Sequence, residues 1–338
     1  MARSDLLWAV SKGHRPAGKN PLASFSHCNR INIDSTPKEM PEDMNDSDLQ
    51  RFHDWFQRYT ASFLAGDDGY DGPIRLKIDH TLRVCRNIRT LGRSLDLPPG
   101  PMREAETAAL FHDLGRFRQY RDYGTFLDSA SANHARLSLL ELGRHRVLAS
   151  CSPGEKRRIA GAIAVHNALA VSRSAAPERR RLMLLLRDAD KLDIWKVVTE
   201  YYERRRSGKE KDTIIELDLP EDDTCSAAAL KDLGNEQLVK VSDIRTLNDF
   251  KLMQIGWVFD LNFPAAFRIL QQERFIERIA STLPRTQAVQ KAVETAREYV
   301  VAKVALGPAY AKAMPRQGED ENQMSEVRCP RSEKTDNR

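Results

Sequence analysis

From Asp46 onward, apolar residues recur at spacings of three and four. Phe52, Trp55, Phe56, Tyr59 and Phe63 form one such stripe, and Ile78, Leu82, Cys85, Ile88 and Leu91 form another. Residues 102–117, 134–148, 155–171, 178–204, 248–280 and 285–305 carry the same period, which places one face of each helix against a core. Breaks fall at Pro98-Pro99-Gly100, Gly124, Ser152-Pro153-Gly154 and Pro177, as helix punctuation should. There is no alternating strand series, so the pattern predicts an all-α fold. Residues 207–245 interrupt the helices with a charged, irregular insert holding one short candidate strand, Thr213 to Leu217. The expected layout is a helical core over 46–206, the insert, and C-terminal helices over 246–306 that add a layer to the core. Residues 1–45 and 307–338 read as disordered ends.

Composition narrows the class. The 338 residues are 41% hydrophobic and 30% charged, enough to bury a large core, which excludes collagen-like and globally disordered chains. The net charge of +5 comes from interleaved acids and bases rather than a basic face, so nucleic acid is not the expected partner. Five widely spaced cysteines with no Cys-x-x-Cys pair fit a reducing, cytoplasmic setting better than a disulfide framework or a zinc ribbon. No stretch approaches the ~18 apolar residues of a membrane span.

The chemistry lies in the histidines. His112-Asp113 sits in Ala-Leu-Phe-His-Asp-Leu-Gly, within a segment apolar nearly all round. A buried ionised Asp beside a buried His is costly unless paired or on a metal. His53-Asp54 serves as a control, because the same dipeptide there lies off its apolar stripe. His166 shares a face with Ile159, Ala162, Ile163 and Ala170. Asp188 is flanked by Leu184, Leu185, Leu192 and Trp195, whereas Asp190 and Asp193 look more exposed. His80 stands at the edge of its stripe, and His134 opens a helix. Singly, each has an ordinary explanation: a satisfied core histidine, a surface histidine, a paired acid. Jointly, imidazoles and carboxylates on several buried helices form a ligand set for Mn, Fe, Zn, Co or Ni.

These residues resemble the HD-domain superfamily of metal-dependent phosphohydrolases. The carriers are Ile78-Asp-His-Thr-Leu-Arg-Val, Ala109-Leu-Phe-His-Asp-Leu-Gly-Arg-Phe and Arg187-Asp-Ala-Asp-Lys-Leu-Asp, within roughly residues 74–200. The resemblance implies an HD-domain helical bundle with one or two divalent metal ions. His80, His112, Asp113 and Asp188 would hold the first ion, with Asp113 bridging to a second held by His134 and His166. In a one-metal site, those last two would bind substrate instead. No Gly-Tyr-Pro segment follows the His-Asp pair, unlike the cyclic-di-GMP phosphodiesterase branch.

The expected activity is hydrolysis of a phosphate ester of a nucleotide or similar small metabolite. A coordinated water becomes acidic enough, with a pKa towards ~7, to supply hydroxide. Arg116, Lys191 and Arg187 are the candidate phosphate clamps, or else partners of the ligand carboxylates. The segment Arg118 to Asn133 is the candidate lid. Two rivals share the motif: an HD-fold di-iron oxygenase and a non-catalytic regulatory module. The cluster Trp257, Phe259, Leu261, Phe263 and Phe267 is expected in the core, with a homodimer surface as its alternative.

Overall fold

A computed structural model describes residues 43–306 except 209, 210, 212 and 218. The predicted loose ends over 1–42 and 307–338 lie outside the described residues. Among the described residues there is no strand, as the three- and four-residue spacing predicts. Nor, among these described residues, is any helix long and apolar enough to cross a membrane.

The first half is built from α1 (Asp46–Ala61), α2 (Asp68–Ser94), α3 (Pro99–Phe111), α4 (Leu114–Tyr123), α5 (His134–Arg144), α6 (Pro153–Val165) and α7 (Pro177–Arg206). Helix starts follow the local chemistry. Asn45 and Asp48 make a reciprocal capping box on α1, and Ser152 and Glu155 do so on α6. Proline opens α3, α6 and α7, where its missing N–H costs nothing. Gly124 ends α4 with φ of 67°, a left-handed conformation that glycine adopts without strain.

The core forms where α2 lies along α7 and α3 threads between α1, α2 and α6. Residues 105 and 107–114 of α3 and its end are all completely buried. The second half adds α8 (Thr213–Glu216), α9 (Ala227–Gly234), α10 (Leu247–Gly256), α11 (Pro264–Gln272), α12 (Phe275–Ala280) and α13 (Gln287–Ala305). Helices α11 and α12 pack on α7, and α13 closes over α9 and α11. Trp257, Leu261, Phe263 and Phe267 are buried here, and Phe259 packs edge-on against Tyr299.

Three expectations are corrected. The candidate strand at Thr213 to Leu217 is the short helix α8, which buries Ile215 without a strand partner. The insert is also less irregular than its charge suggests, since Ser226 caps α9. Finally, the last residues assigned to the loose leader belong to the fold. Met44 is buried, its N–H donating to Glu155 Oε1 at 2.7 Å, and Asn45 caps α1.

Candidate metal centre

Six helices deliver six buried side chains to one place. His80 projects from the middle of α2. His112 and His166 do not lie on helix faces as the sequence suggests; they are the C-terminal caps of α3 and α6. Asp113 is the N-cap of α4, and His134 is the first residue of α5. Two helix C-termini, with their partial negative charge, therefore end at the cluster, which favours a cation there. The approach of α4 to α5 depends on Gly115. A Cβ there would stand 2.5 Å from Ser138 N and closer still to the His134 carbonyl.

The sixth residue is Asp190, on α7. Its Oδ1 lies 3.2 Å from His80 Nε2 and 3.7 Å from His112 Nε2. Asp188, the aspartate favoured by sequence, does not face the cluster. Its carboxylate accepts the backbone N–H groups of Asn262 and Phe263, each at 2.9 Å, and the Asn262 amide at 2.9 Å. The two residues project differently because they are separated by two positions, roughly 200° around the helix. Asp190 and Asp193, judged more exposed, are both buried, because they face His80 and Arg83 of α2, which lies along α7.

The donors fall into two groups that meet at Asp113. Its Oδ2 is 3.6 Å from His80 Nε2 and 3.8 Å from His112 Nε2. Its Oδ1 is 3.4 Å from His134 Nε2 and 3.8 Å from His166 Nε2. Within the groups, His80 and His112 approach Nε2 to Nε2 at 3.3 Å, and His134 and His166 at 3.0 Å.

Every imidazole is held from behind. His112 Nδ1 donates to Ala109 O at 2.7 Å and His166 Nδ1 to Ile163 O at 2.8 Å. A carbonyl only accepts, so Nδ1 carries the proton in both rings, and the neutral ring turns an Nε2 lone pair inward. His80 Nδ1 meets Asp193 Oδ2 at 2.7 Å, and His134 Nδ1 meets Asp128 Oδ2 at 2.8 Å. Such backing by carboxylates and carbonyls fixes ring orientation at metal sites.

The fit to a metal can be tested on the carboxylates. Asp113 Oδ1 and both Asp190 oxygens are buried without a hydrogen-bond partner among the described residues. Buried anionic oxygens left bare are expensive, and a cation facing them removes that cost. Donor atoms of His80, His112 and Asp190, and of His112, Asp113 and His166, lie within 4.8 Å of one another. The cluster can hold a divalent metal.

The electrostatics agree. Burial pushes the Asp113 carboxyl up, but Lys77, His112 and Arg116 overcome it and hold the group well below the usual range. Burial likewise opposes ionisation of Asp190, and His112 and His80 outweigh it. Burial drives His134 down to about 4, with Arg116 adding to it, against the pull of Asp128.

The cations differ from expectation. Arg116 has no exposed surface. Its guanidinium holds the Phe126 carbonyl, Gln119 and Asp128, and its Nε is 3.5 Å from Asp113 Oδ1. It is a partner of the carboxylates and an anchor of the loop, not an accessible phosphate clamp. The loop is correspondingly fixed: α4 extends to Tyr123, and Gln119 bonds Asp128, Ser131 and Ala132 O. Arg187 is also committed, to the carbonyls of Val165, His166 and Ala168 and to Asp260. Lys191 Nζ lies 2.7 Å from Asp260 Oδ2 and lines a pocket with His166, Asn167 and Trp257. Lys77 went unremarked in the sequence, yet its Nζ is 2.9 Å from Asp113 Oδ2. Its position three residues before His80, one helical turn away on the same face, was the available signal.

His53 contacts Glu106 at 3.3 Å, away from the cluster, so its His-Asp dipeptide plays no part. No curated protein and no solved structure matches the chain. The HD domain family matches residues 78–195, which span α2 to α7 and contain all six clustered side chains. This match over residues 78–195 supports membership of the HD-domain superfamily.

Proposed function

We propose that the protein is a metal-dependent phosphohydrolase acting on a phosphate ester of a small metabolite, nucleotide-like in kind. The observation that carries the reading is the division of six buried donors into two groups joined by the oxygens of Asp113. His80, His112, Asp113 and Asp190 hold one divalent ion. Asp113, His134 and His166 hold the second. When bound, the ions supply Lewis acidity and a water acidic enough to act as nucleophile at neutral pH.

The chain's own groups do the rest. Asp113, kept ionised by its neighbours, offers an oxygen to each half of the site. Lys77, 12% exposed at its side chain, lines a pocket beside His80 and keeps its ammonium against Asp113. Lys191 lines the pocket on the His166 side, where Asp260 steadies its charge. Ammonium groups on both flanks favour an anionic substrate, and the buried surroundings strengthen that attraction relative to water. Asp193 and Asp128 orient the two imidazoles that they back.

The test is anaerobic purification, metal analysis with iron EPR, and a phosphoester panel. The expected result is bound divalent metal with phosphate release that disappears in Asp113→Ala. A mixed-valent di-iron signal with no phosphate release across the panel would overturn the reading in favour of the oxygenase.

A further inference from the structure

A cavity of about 560 Å³ lies where α7, α10 and the segment after α12 meet residues 221–223. Small-molecule sites commonly span ~300–1,000 Å³. The cavity shares no lining residue with the metal centre, and Tyr202 in its wall stands roughly 14 Å beyond Asp193 along the α7 axis.

Lys251 of α10 lines this cavity and is only 8% exposed. Its ammonium is held among three other lining residues. Nζ donates to the Thr282 carbonyl at 3.2 Å, reaches Asn248 Oδ1 at 3.5 Å and lies 5.0 Å from the centre of the Tyr202 ring. These are neutral partners, and Lys251 makes no ion pair among the described residues. A buried charge with no counter-charge is costly. Burial pushes the ammonium below its ordinary range, with Arg205 adding to it, against the pull of Glu216 and Glu221. Both of those acids are engaged elsewhere: Glu216 accepts from Tyr201 Oη and Glu221 from Arg205 Nη2, each at 2.5 Å.

The other charges of the cavity sit at its rim. Arg206 is exposed, and so are Glu221, Asp222 and Asp223. Water and salt screen rim charges, whereas an ammonium withdrawn from water acts strongly on what reaches it. The depth of the cavity therefore favours an anionic group, and its acidic rim disfavours a second one.

We propose that this cavity is a second ligand site, taking a small organic molecule whose one oxyanion end, a carboxylate or a phosphate, pairs with Lys251 while its uncharged or cationic remainder lies towards Glu221, Asp222 and Asp223. The site is separate from the metal centre and stands whatever reaction that centre performs.

The test reads Lys251 directly in the full chain as purified. Brief acetylation with an N-hydroxysuccinimide ester, followed by peptide mass spectrometry, gives the reactivity of each lysine. Propionate, inorganic phosphate and uncharged propionamide are the probes. Lys251 is expected to react without a probe, and to lose its reactivity about tenfold once an oxyanion probe stands about tenfold above its dissociation constant. Lys196, 47% exposed at its side chain and outside the cavity, should react unchanged. Protection by either anion supports the site, and the stronger of the two identifies the carboxylate or the phosphate. Protection by neither anion, equal protection by propionamide, or no reaction of Lys251 at all overturns the proposal and leaves the ammonium as a tether for the Thr282 carbonyl. Lys77 and Lys191, read in the same digest, report binding at the metal centre separately.

Discussion

Asp190 Oδ1 lies 3.2 Å from His80 Nε2, while Asp188, one peptide removed from Ala189, turns away to hold the backbone of Asn262 and Phe263. Two aspartates in one helical turn therefore have unrelated duties. Asp190→Ala should lower bound metal, because it removes an anionic donor from the His80 group. Asp188→Ala should keep metal but strand the N–H groups at the start of α11, costing roughly 1–3 kcal/mol for each buried group left unmade. Metal content by mass spectrometry and a thermal melt separate the two. Equal metal loss in both variants would count against this division of labour.

Asp193 backs His80 and also accepts from Arg83 Nε at 2.5 Å. It should act on the metal only through the imidazole. Asp193→Ala is expected to weaken metal binding by about 10–100-fold, the usual loss for a partner of a ligating histidine. Competition against a chromogenic chelator reads the change. An affinity unchanged within twofold would show that the ring needs no such support.

Metal uptake should depend on pH through His80. Burial and Lys77 push its imidazole down, but Asp190 and Asp193 outweigh both and carry it up to about 9. In the metal-free protein, the stability this raised pKa contributes is complete below the unfolded value near 6.5, and is lost as pH rises through about 9. A metal requires the neutral ring, so binding at pH 7.5 should release a proton and apparent affinity should climb towards pH 9. Calorimetry in buffers of different ionisation enthalpy measures the released protons. No dependence on buffer would contradict the raised value.

Gly115→Ala should separate α4 from α5. The added methyl would meet Ser138 N and Leu137 Cβ at 2.5 and 2.6 Å, backbone and stem atoms with little room to yield. Overpacking of this kind costs about 1–3 kcal/mol, and it displaces the turn that carries His134. A lower melting temperature together with partial metal loss is expected. His53→Ala, whose imidazole contacts Glu106 instead, should leave metal content unchanged.

The helices were legible because their apolar spacing is regular, and His112 and His166 stood out because their surroundings are apolar on every side. The choice between Asp188 and Asp190 was not legible for a specific reason. The stripe of Leu184, Leu185, Leu192 and Trp195 marks one buried face of α7, and reading polar residues off that stripe as exposed assumes the opposite face meets water. In the fold, α2 covers the Asp190 and Asp193 face while Trp195 meets Gln254, Trp257 and Phe275 of the C-terminal half, so 17 residues of α7 are buried. A helix enclosed on both sides loses the contrast that periodicity depends on. Arg116 shows the same limit: one turn after Asp113 it could point outward or inward, and only the Phe126 carbonyl and Asp128, brought back by the loop, decide it.

The backing of the four imidazoles divides them into two kinds. His112 and His166 lean on carbonyls of their own helices, one turn back in the chain. His80 and His134 lean on carboxylates, and each carboxylate leads outward: Asp193 to the partly exposed Arg83, and Asp128 to its own 17% exposed side chain. Two rings are therefore set by the geometry of their own helices alone, whereas the other two take their final orientation only once α2 has met α7 and the loop has folded back onto α5.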